Sequence, residues 1–149
     1  MEEIDELLKS KNLKKTKARR LILDYLNHSA PRTAGEIFSD IREKDPRLSL
    51  STIYRNCEAL AEQGILVKSS LLEDGMARYE YPRNGHIHHA ICLGCNRIFP
   101  IDDCPFGQFD QIMSNKYDFD VTKHRIEIYG YCHDCRKAGK DPSAPIQEK

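Results

Sequence analysis

Cysteines at positions 92 and 95, and again at 132 and 135, form two Cys-x-x-Cys pairs. Two thiolates spaced this way can face one ion from a tight turn, and two such knuckles complete the tetrahedral four-sulfur set that Zn²⁺ accepts. Four sulfurs leave no position for water, so an ion held by Cys92, Cys95, Cys132 and Cys135 is a staple and not a catalyst. Gly94 frees the first turn, and Asn96 tolerates the left-handed conformation that such turns need. The competing reading, two reducible disulfides, suits a reducing compartment poorly.

The same stretch is rich in imidazole. Residues 86–95, HIHHAICLGC, hold three histidines and two cysteines. On a strand, alternate residues share a face, so His86 and His88 point one way and Ile87 and His89 the other. His124, which precedes a second strand-like run, can meet His86 and His88 to give three nitrogen donors, with Asp102, Asp103, Cys104 or Asp110 open as the fourth. On the opposite face His89 and Glu80 form a second candidate pairing. Three histidines around an ion with a water in the fourth position would also suit a zinc-dependent hydrolytic enzyme, although only Glu127 and Glu80 offer themselves as a general base.

These residues need elements to position them. At 149 residues, 31% charged and 40% hydrophobic, the chain has a foldable composition. Two small domains are the natural division, each near the size at which a core buries only about 60% of the unfolded surface and a metal staple or dimer interface helps. No apolar run approaches the roughly 18 residues of a membrane span. The acidic, periodic MEEIDELLKS has no signal-peptide core, so a cytoplasmic location without membrane partners is expected. The formal net charge is zero, yet Lys9, Lys11, Lys14, Lys15, Lys17, Arg19 and Arg20 follow one another with no acid between them, a run suited to phosphate contact.

Apolar spacing predicts four helices before the first strand. Ile4, Leu7 and Leu8 mark one. Thr16 caps a second carrying Leu21, Ile22, Tyr25 and Leu26, and the capping-box pattern TAGE at Thr33 opens a third that ends at Asp45-Pro46. The fourth, SLSTIYRNCEALAEQG, takes Ser49 or Ser51 as cap and stops at Gly64. Its apolar face is Ile53, Cys57, Leu60 and Ala61; Thr52, Arg55, Asn56 and Ala59 point away with Tyr54 at the margin, side chains able to meet base edges and thymine methyls. Two strand-like runs around Glu73-Asp74-Gly75 follow as a hairpin. Three helices and a hairpin make a winged helix-turn-helix. The alternative is an adaptor that binds protein through the same face.

After PRNG, residues 82–85, come a strand containing the first cysteine turn, a helix from about Phe106 to Lys116 and the alternating strand HRIEIYGYC, a small α/β unit. The expected class is therefore α+β. A winged-helix DNA-binding domain spans 1–82, a hinge 83–85, a metal-binding dimerisation domain with a four-cysteine zinc site 86–138, and a loose tail 139–149.

TKARRLILDYL, TAGEIF, SLSTIYRNCEAL, HIHHAICLGC and HRIEIYGYCHDC, in that order and spacing, resemble the ferric-uptake-regulator family of bacterial metal-dependent repressors. The resemblance implies a homodimer joined through the carboxyl-terminal domains, each winged helix reading half of a palindromic double-stranded operator. It implies a regulatory metal near the hinge that sets the spacing of the two readers. Cys92, Cys95, Cys132 and Cys135 match the family's structural zinc ligands. Tyr54 and Arg55 match base and phosphate contacts, and Arg19 a further DNA contact; with Lys14, Lys15, Ser51, Thr52 and Asn56 they form the expected DNA-binding set. His86, His88 and His124 match one family metal site, and Glu80 and His89 two ligands of the hinge site.

The chain also departs from the family. Pro31, Ile87 and Pro100 stand where the hinge site takes ligands, and Gly107 stands where an acid would complete the other. The hinge site is thus depleted while the His86, His88 and His124 set is mostly intact. Zinc is the favoured regulatory ion, because IDDCP, residues 101–105, looks like a stretch of the family's zinc-uptake regulators; iron and manganese follow. An iron-sensing or peroxide-sensing regulator is the alternative within the family, the latter disfavoured by a shortage of carboxylates.

Overall fold

The computed structural model describes residues 1–72, 74–82, 88–101, 104 and 106–140. They form two compact units that divide between Pro82 and Arg83, and together they are an α+β chain. The proposed hinge residues 83–85 and positions 141–149 of the proposed tail lie outside the described residues.

The first unit runs α1 (Glu2–Ser10), α2 (Lys17–Asn27), α3 (Ala34–Ile41), α4 (Leu50–Glu62), β1 (Val67–Ser69) and β2 (Arg78–Glu80). Each of the later helices starts where a side chain satisfies the first unpaired amides. Thr16 Oγ1 accepts from Arg19 N–H, and Thr33 and Glu36 form a reciprocal capping box. Of the two candidate caps for α4 it is Ser49, which accepts from Thr52 N–H at 3.2 Å. Gly64, at φ 73°, ends that helix in a conformation that costs glycine nothing. Between α3 and α4, a 3-10 turn over Arg42–Lys44 stops at Asp45, whose extended backbone is what a following proline imposes.

The core of this unit is continuous: Ile4 and Leu8 from α1, Ile22, Leu23 and Leu26 from α2, Ile37 and Ile41 from α3, and Ile53, Cys57 and Leu60 from α4. The last three recur at four and three residues, so a single stripe of α4 is sealed inside and the opposite stripe is left outside. Burying each large aliphatic side chain contributes about 1.5–3 kcal/mol, which is what holds α4 at a fixed angle.

β1 and β2 are antiparallel, Val67 opposite Glu80, and are only three residues each, shorter than the sequence runs suggest. The hairpin is anchored at both ends. Buried Tyr79 exchanges backbone hydrogen bonds with Arg32 at 3.0 and 2.8 Å, and its hydroxyl donates to Glu58 on α4. Lys68 on β1 reaches the same carboxylate at 2.8 Å. Near the tip, Asp74 accepts from Met76 N–H at 3.0 Å and from both terminal nitrogens of Arg78.

The second unit is a three-stranded sheet in the order β4-β3-β5 with two helices: β3 (His88–Cys92), β4 (Ile98–Ile101), α5 (Gly107–Tyr117), β5 (Glu127–Gly130) and α6 (His133–Lys137). β3 and β4 are an antiparallel pair around the first cysteine turn. β3 and β5 are parallel, so the chain must cross over between them, and α5 lies in that crossover. The register sets His89 opposite Glu127 and Cys92 opposite Gly130. One element has no counterpart in the sequence pattern: the second cysteine pair sits on the short helix α6, with Cys132 at its N-cap position.

The core here is thin. Ile91 and Ile98 are buried with Cys92 and Cys135, whereas no described residue of α5 is buried and Phe109 and Ile112 are at least half exposed. Among the described residues no helix is long and apolar enough to cross a membrane.

Candidate metal centres and nucleic-acid interface

The parallel β3–β5 pair delivers the two cysteine knuckles to one place. The four Sγ atoms of Cys92, Cys95, Cys132 and Cys135 all lie within 4.8 Å of one another, and Cys95 and Cys132 are 3.9 Å apart. A tetrahedral zinc with Zn–S bonds of about 2.3 Å asks for sulfurs about 3.8 Å apart, so the set fits the ion. All four are free thiols. Asn96 takes the left-handed conformation, φ 60°, and its N–H closes the knuckle on Cys92 O at 2.8 Å. Gly94 is required for a different reason than turn geometry: a Cβ there would stand 2.8 Å from Cys135 Sγ.

Hydrogen bonds prepare these sulfurs for charge. Burial pushes the Cys92 thiol up, but the amides of Cys132, Cys95 and Gly94 outweigh it and bring it down to about 6. Arg97, to which the sequence pattern assigned no role, donates to Cys95 Sγ and Cys132 Sγ at 3.2 Å each and is held by Asp134 at 2.8 Å. Its guanidinium lowers the Cys95 thiol as well. A cation two residues past a cysteine pair was the available signal.

A second donor cluster lies in the same unit. His88 on β3, Cys104 after β4 and His124 before β5 bring two nitrogens and a sulfur within 4.8 Å. His88 Nε2 is 3.2 Å from Cys104 Sγ and 3.1 Å from His124 Nε2, and Cys104 Sγ is 3.1 Å from His124 Nε2. The two rings stack at 4.9 Å. Zinc would set nitrogens about 3.3 Å apart and nitrogen and sulfur about 3.6 Å apart, so these donors are poised slightly inside coordination distance. His124 presents its Nε2 because its Nδ1–H donates to the Asp110 carboxylate on α5, whose oxygens lie 3.0 and 3.1 Å away. His88 is held differently. Ile126 N–H donates to its Nδ1 at 3.2 Å, which leaves the ring proton on Nε2 and pointed into the cluster.

Of the sequence candidates, the structure therefore brings together His88, His124 and Cys104, and it puts Asp110 behind His124 instead of among the ligands. His86, Asp102 and Asp103 lie outside the described residues. Glu80 ends β2 in the first unit and His89 stands on β3 in the second; both are buried.

The outer stripe of α4 carries Ser51, Tyr54 and Arg55, all exposed, Tyr54 by 52%. With Thr33 and Ala34 at the start of α3 and Met76 on the hairpin they line one groove. Lys14 and Lys15 are exposed just before α2. Two expectations change. Arg19 and Arg20 are not loose members of a basic run: Arg19 Nε donates to Asn56 Oδ1 at 3.0 Å, and Arg20 grips Asp5 at 2.7 and 2.9 Å. Asn56 is half-buried, with its amide nitrogen spent on Thr52 O at 2.8 Å, so it braces the helix where the sequence suggested a free outward side chain.

Comparison with known proteins gives a consistent picture. A family model described as the ferric uptake regulator family matches residues 10–129. The peroxide-responsive repressor PerR of Staphylococcus epidermidis is 35% identical, with 93% of this chain and 92% of that protein covered. The peroxide operon regulator of Bacillus subtilis is 34% identical, with 92% and 94% covered. Among solved structures, the ferric uptake regulator Fur of Helicobacter pylori, described as having three functional metal binding sites, superposes with a TM-score of 0.74 at 26% identity over 91% of this chain and 90% of that one.

Proposed function

Because the chain belongs to the ferric uptake regulator family, a family of regulators and not of enzymes, we propose that it is a cytoplasmic, metal-responsive transcriptional repressor that binds a palindromic operator as a homodimer. The observation that carries this reading is the second donor cluster. The four-cysteine set suffices to staple the second unit, yet His88, Cys104 and His124 form a separate site of different chemistry in the same small unit.

Each part has a role. Arg55, Tyr54, Ser51 and Thr52 on α4 enter the major groove, Lys14, Lys15 and Arg19 contact phosphates, and the β1–β2 hairpin follows the backbone. Dimerisation uses the apolar side chains that the second unit leaves exposed, Phe109, Ile112, Ile128 and Tyr129 among them. When bound, the regulatory ion supplies a fixed tie among three segments that are far apart in sequence. His88 opens β3, eight residues past the end of β2, so tying it to Cys104 and His124 restrains the start of the second unit's sheet. A coupling of about 1–3 kcal/mol between ion and DNA is enough to switch occupancy. By the family resemblance His86 is a further candidate ligand of that ion, and Glu80 and His89 are separate candidate ligands.

Zinc is the favoured regulatory ion, with iron and manganese behind it. The peroxide reading has its own support in the names of the two relatives above, which makes it the second reading here despite the shortage of carboxylates.

The test uses DNA selected from random duplexes by the zinc-loaded protein. Fluorescence anisotropy at fixed salt is expected to show tighter binding with the second metal equivalent present than with the staple alone. Equal affinity in both states sinks the proposal, since phosphate contacts are indifferent to the ion.

A further inference from the structure

Cys104 is the sulfur donor of the second cluster, and the one of the four candidate fourth donors that is not a carboxylate. Its Sγ is equidistant, within 0.1 Å, from Nε2 of His88 and Nε2 of His124. It is only partly exposed, and it is separate from the four-cysteine set. Gly107, where an acid was expected, offers no donor, and Asp110 is occupied with the far nitrogen of His124. The cluster among the described residues is thus two imidazoles and a thiol, with no carboxylate facing its centre.

From this arrangement we infer that Cys104 is a metal ligand, as thiolate, and that it is the residue that sets which ion the second site accepts. This rests on the reading of that site as metal-binding. Thiolate and imidazole together suit zinc and its surrogate cobalt, whereas manganese and magnesium prefer carboxylate, carbonyl and water. Among the described donors the sulfur, as thiolate, brings the one negative charge. An N,N,S set held by β3, the segment after β4 and the segment before β5 favours four-coordinate ions over octahedral ones.

The experiment uses the whole chain with zinc already in the four-cysteine site, so that added cobalt reports only on the second. The expected result is one equivalent of Co²⁺ with a sulfur-to-cobalt charge-transfer band that is missing in Cys104→Ser while the four-cysteine zinc is retained. Competition should show zinc displacing cobalt and manganese failing to. Cys104→Ser should lower zinc affinity by at least the 10–100-fold seen when even an outer partner of a ligand is removed, and Cys104→Asp should narrow the preference for zinc over manganese. Cobalt bound with no charge-transfer band, at an affinity unchanged in Cys104→Ser, overturns the role of Cys104 and leaves the metal site standing. No second equivalent in the unaltered chain, or one that survives His88→Ala and His124→Ala together, removes the site itself.

Discussion

Asp110 holds His124 by its far nitrogen: the carboxylate oxygens lie 3.0 and 3.1 Å from Nδ1, while Nε2 of the same ring faces Cys104 Sγ at 3.1 Å. A carboxylate behind an imidazole fixes the tautomer and sharpens the basicity of the nitrogen that binds. Asp110→Ala is therefore expected to weaken zinc at the second site by about 10–100-fold and to leave the four-cysteine zinc in place. Calorimetric titration of the staple-loaded protein reads this, and an unchanged affinity would remove Asp110 from the site.

His88 makes a different demand. Its Nδ1 accepts from Ile126 N–H, so binding an ion through Nε2 as a neutral ring requires the proton to move to Nδ1 and that bond to break. Loading the second site should accelerate hydrogen exchange at the Ile126 amide relative to its β5 neighbours. Retained protection of that amide in the loaded protein would mean that His88 does not coordinate through Nε2.

On the DNA face, binding to bases and binding to phosphates should separate. Arg55→Ala is expected to cost about 1–3 kcal/mol on the selected operator and little on random DNA. Lys14→Ala with Lys15→Ala should weaken both alike and make the salt slope shallower by roughly 0.9 for each phosphate no longer neutralised. Affinity measured across a salt series on both duplexes decides the assignment; the reverse pattern would exchange the two roles.

The hairpin tip should respond to acid. Arg78, with help from Met76 N–H, lowers the Asp74 carboxyl from 3.8 to about 2. A depressed folded value means the pair's contribution is complete above 3.8 and is lost as pH falls through about 2. NMR titration of the Asp74 carboxyl should show the low midpoint, and Arg78→Ala should return it toward 3.8. An ordinary midpoint in the unaltered protein would mean the ion pair is not formed in solution.

Cys57 should be silent toward thiol reagents. It is fully buried in the α4 stripe, and burial pushes its thiol up to about 12, so a thiol reagent at neutral pH is expected to spare it until the first unit unfolds. Mass spectrometry after brief alkylation checks this, and rapid native labelling of Cys57 would argue that α4 leaves its place.

Much of this was legible in the residues because it depends on local rules. Thr33 and Glu36 announce α3 three residues apart, and Ile53, Cys57 and Leu60 announce the buried side of α4. The Cys-x-x-Cys pairs announce a four-sulfur set whatever the distance between them. The rest depends on tertiary geometry. Cys104 and Asp110 were two of four possible fourth donors, and only the crossover through α5 assigns one to the cluster and the other to the back of His124. Arg19 and Asn56 looked like independent polar side chains; a separation of 37 residues hides their bond. The helix at Cys132 is too short to leave a periodic signal.

The parallel pairing of β3 with β5 bears on how the chain acquires its shape. An antiparallel pair such as β3–β4 can zip from a turn, but β5 cannot dock until everything between has been made and looped back. The first unit ends at Pro82, so on the ribosome it can complete itself while Cys132 and Cys135 are still unsynthesised. The second unit, with only a thin buried core, matures last. In the proposed function, that order means the DNA reader is built before the part that governs it, and supply of the stapling ion during synthesis sets how many chains come under that control.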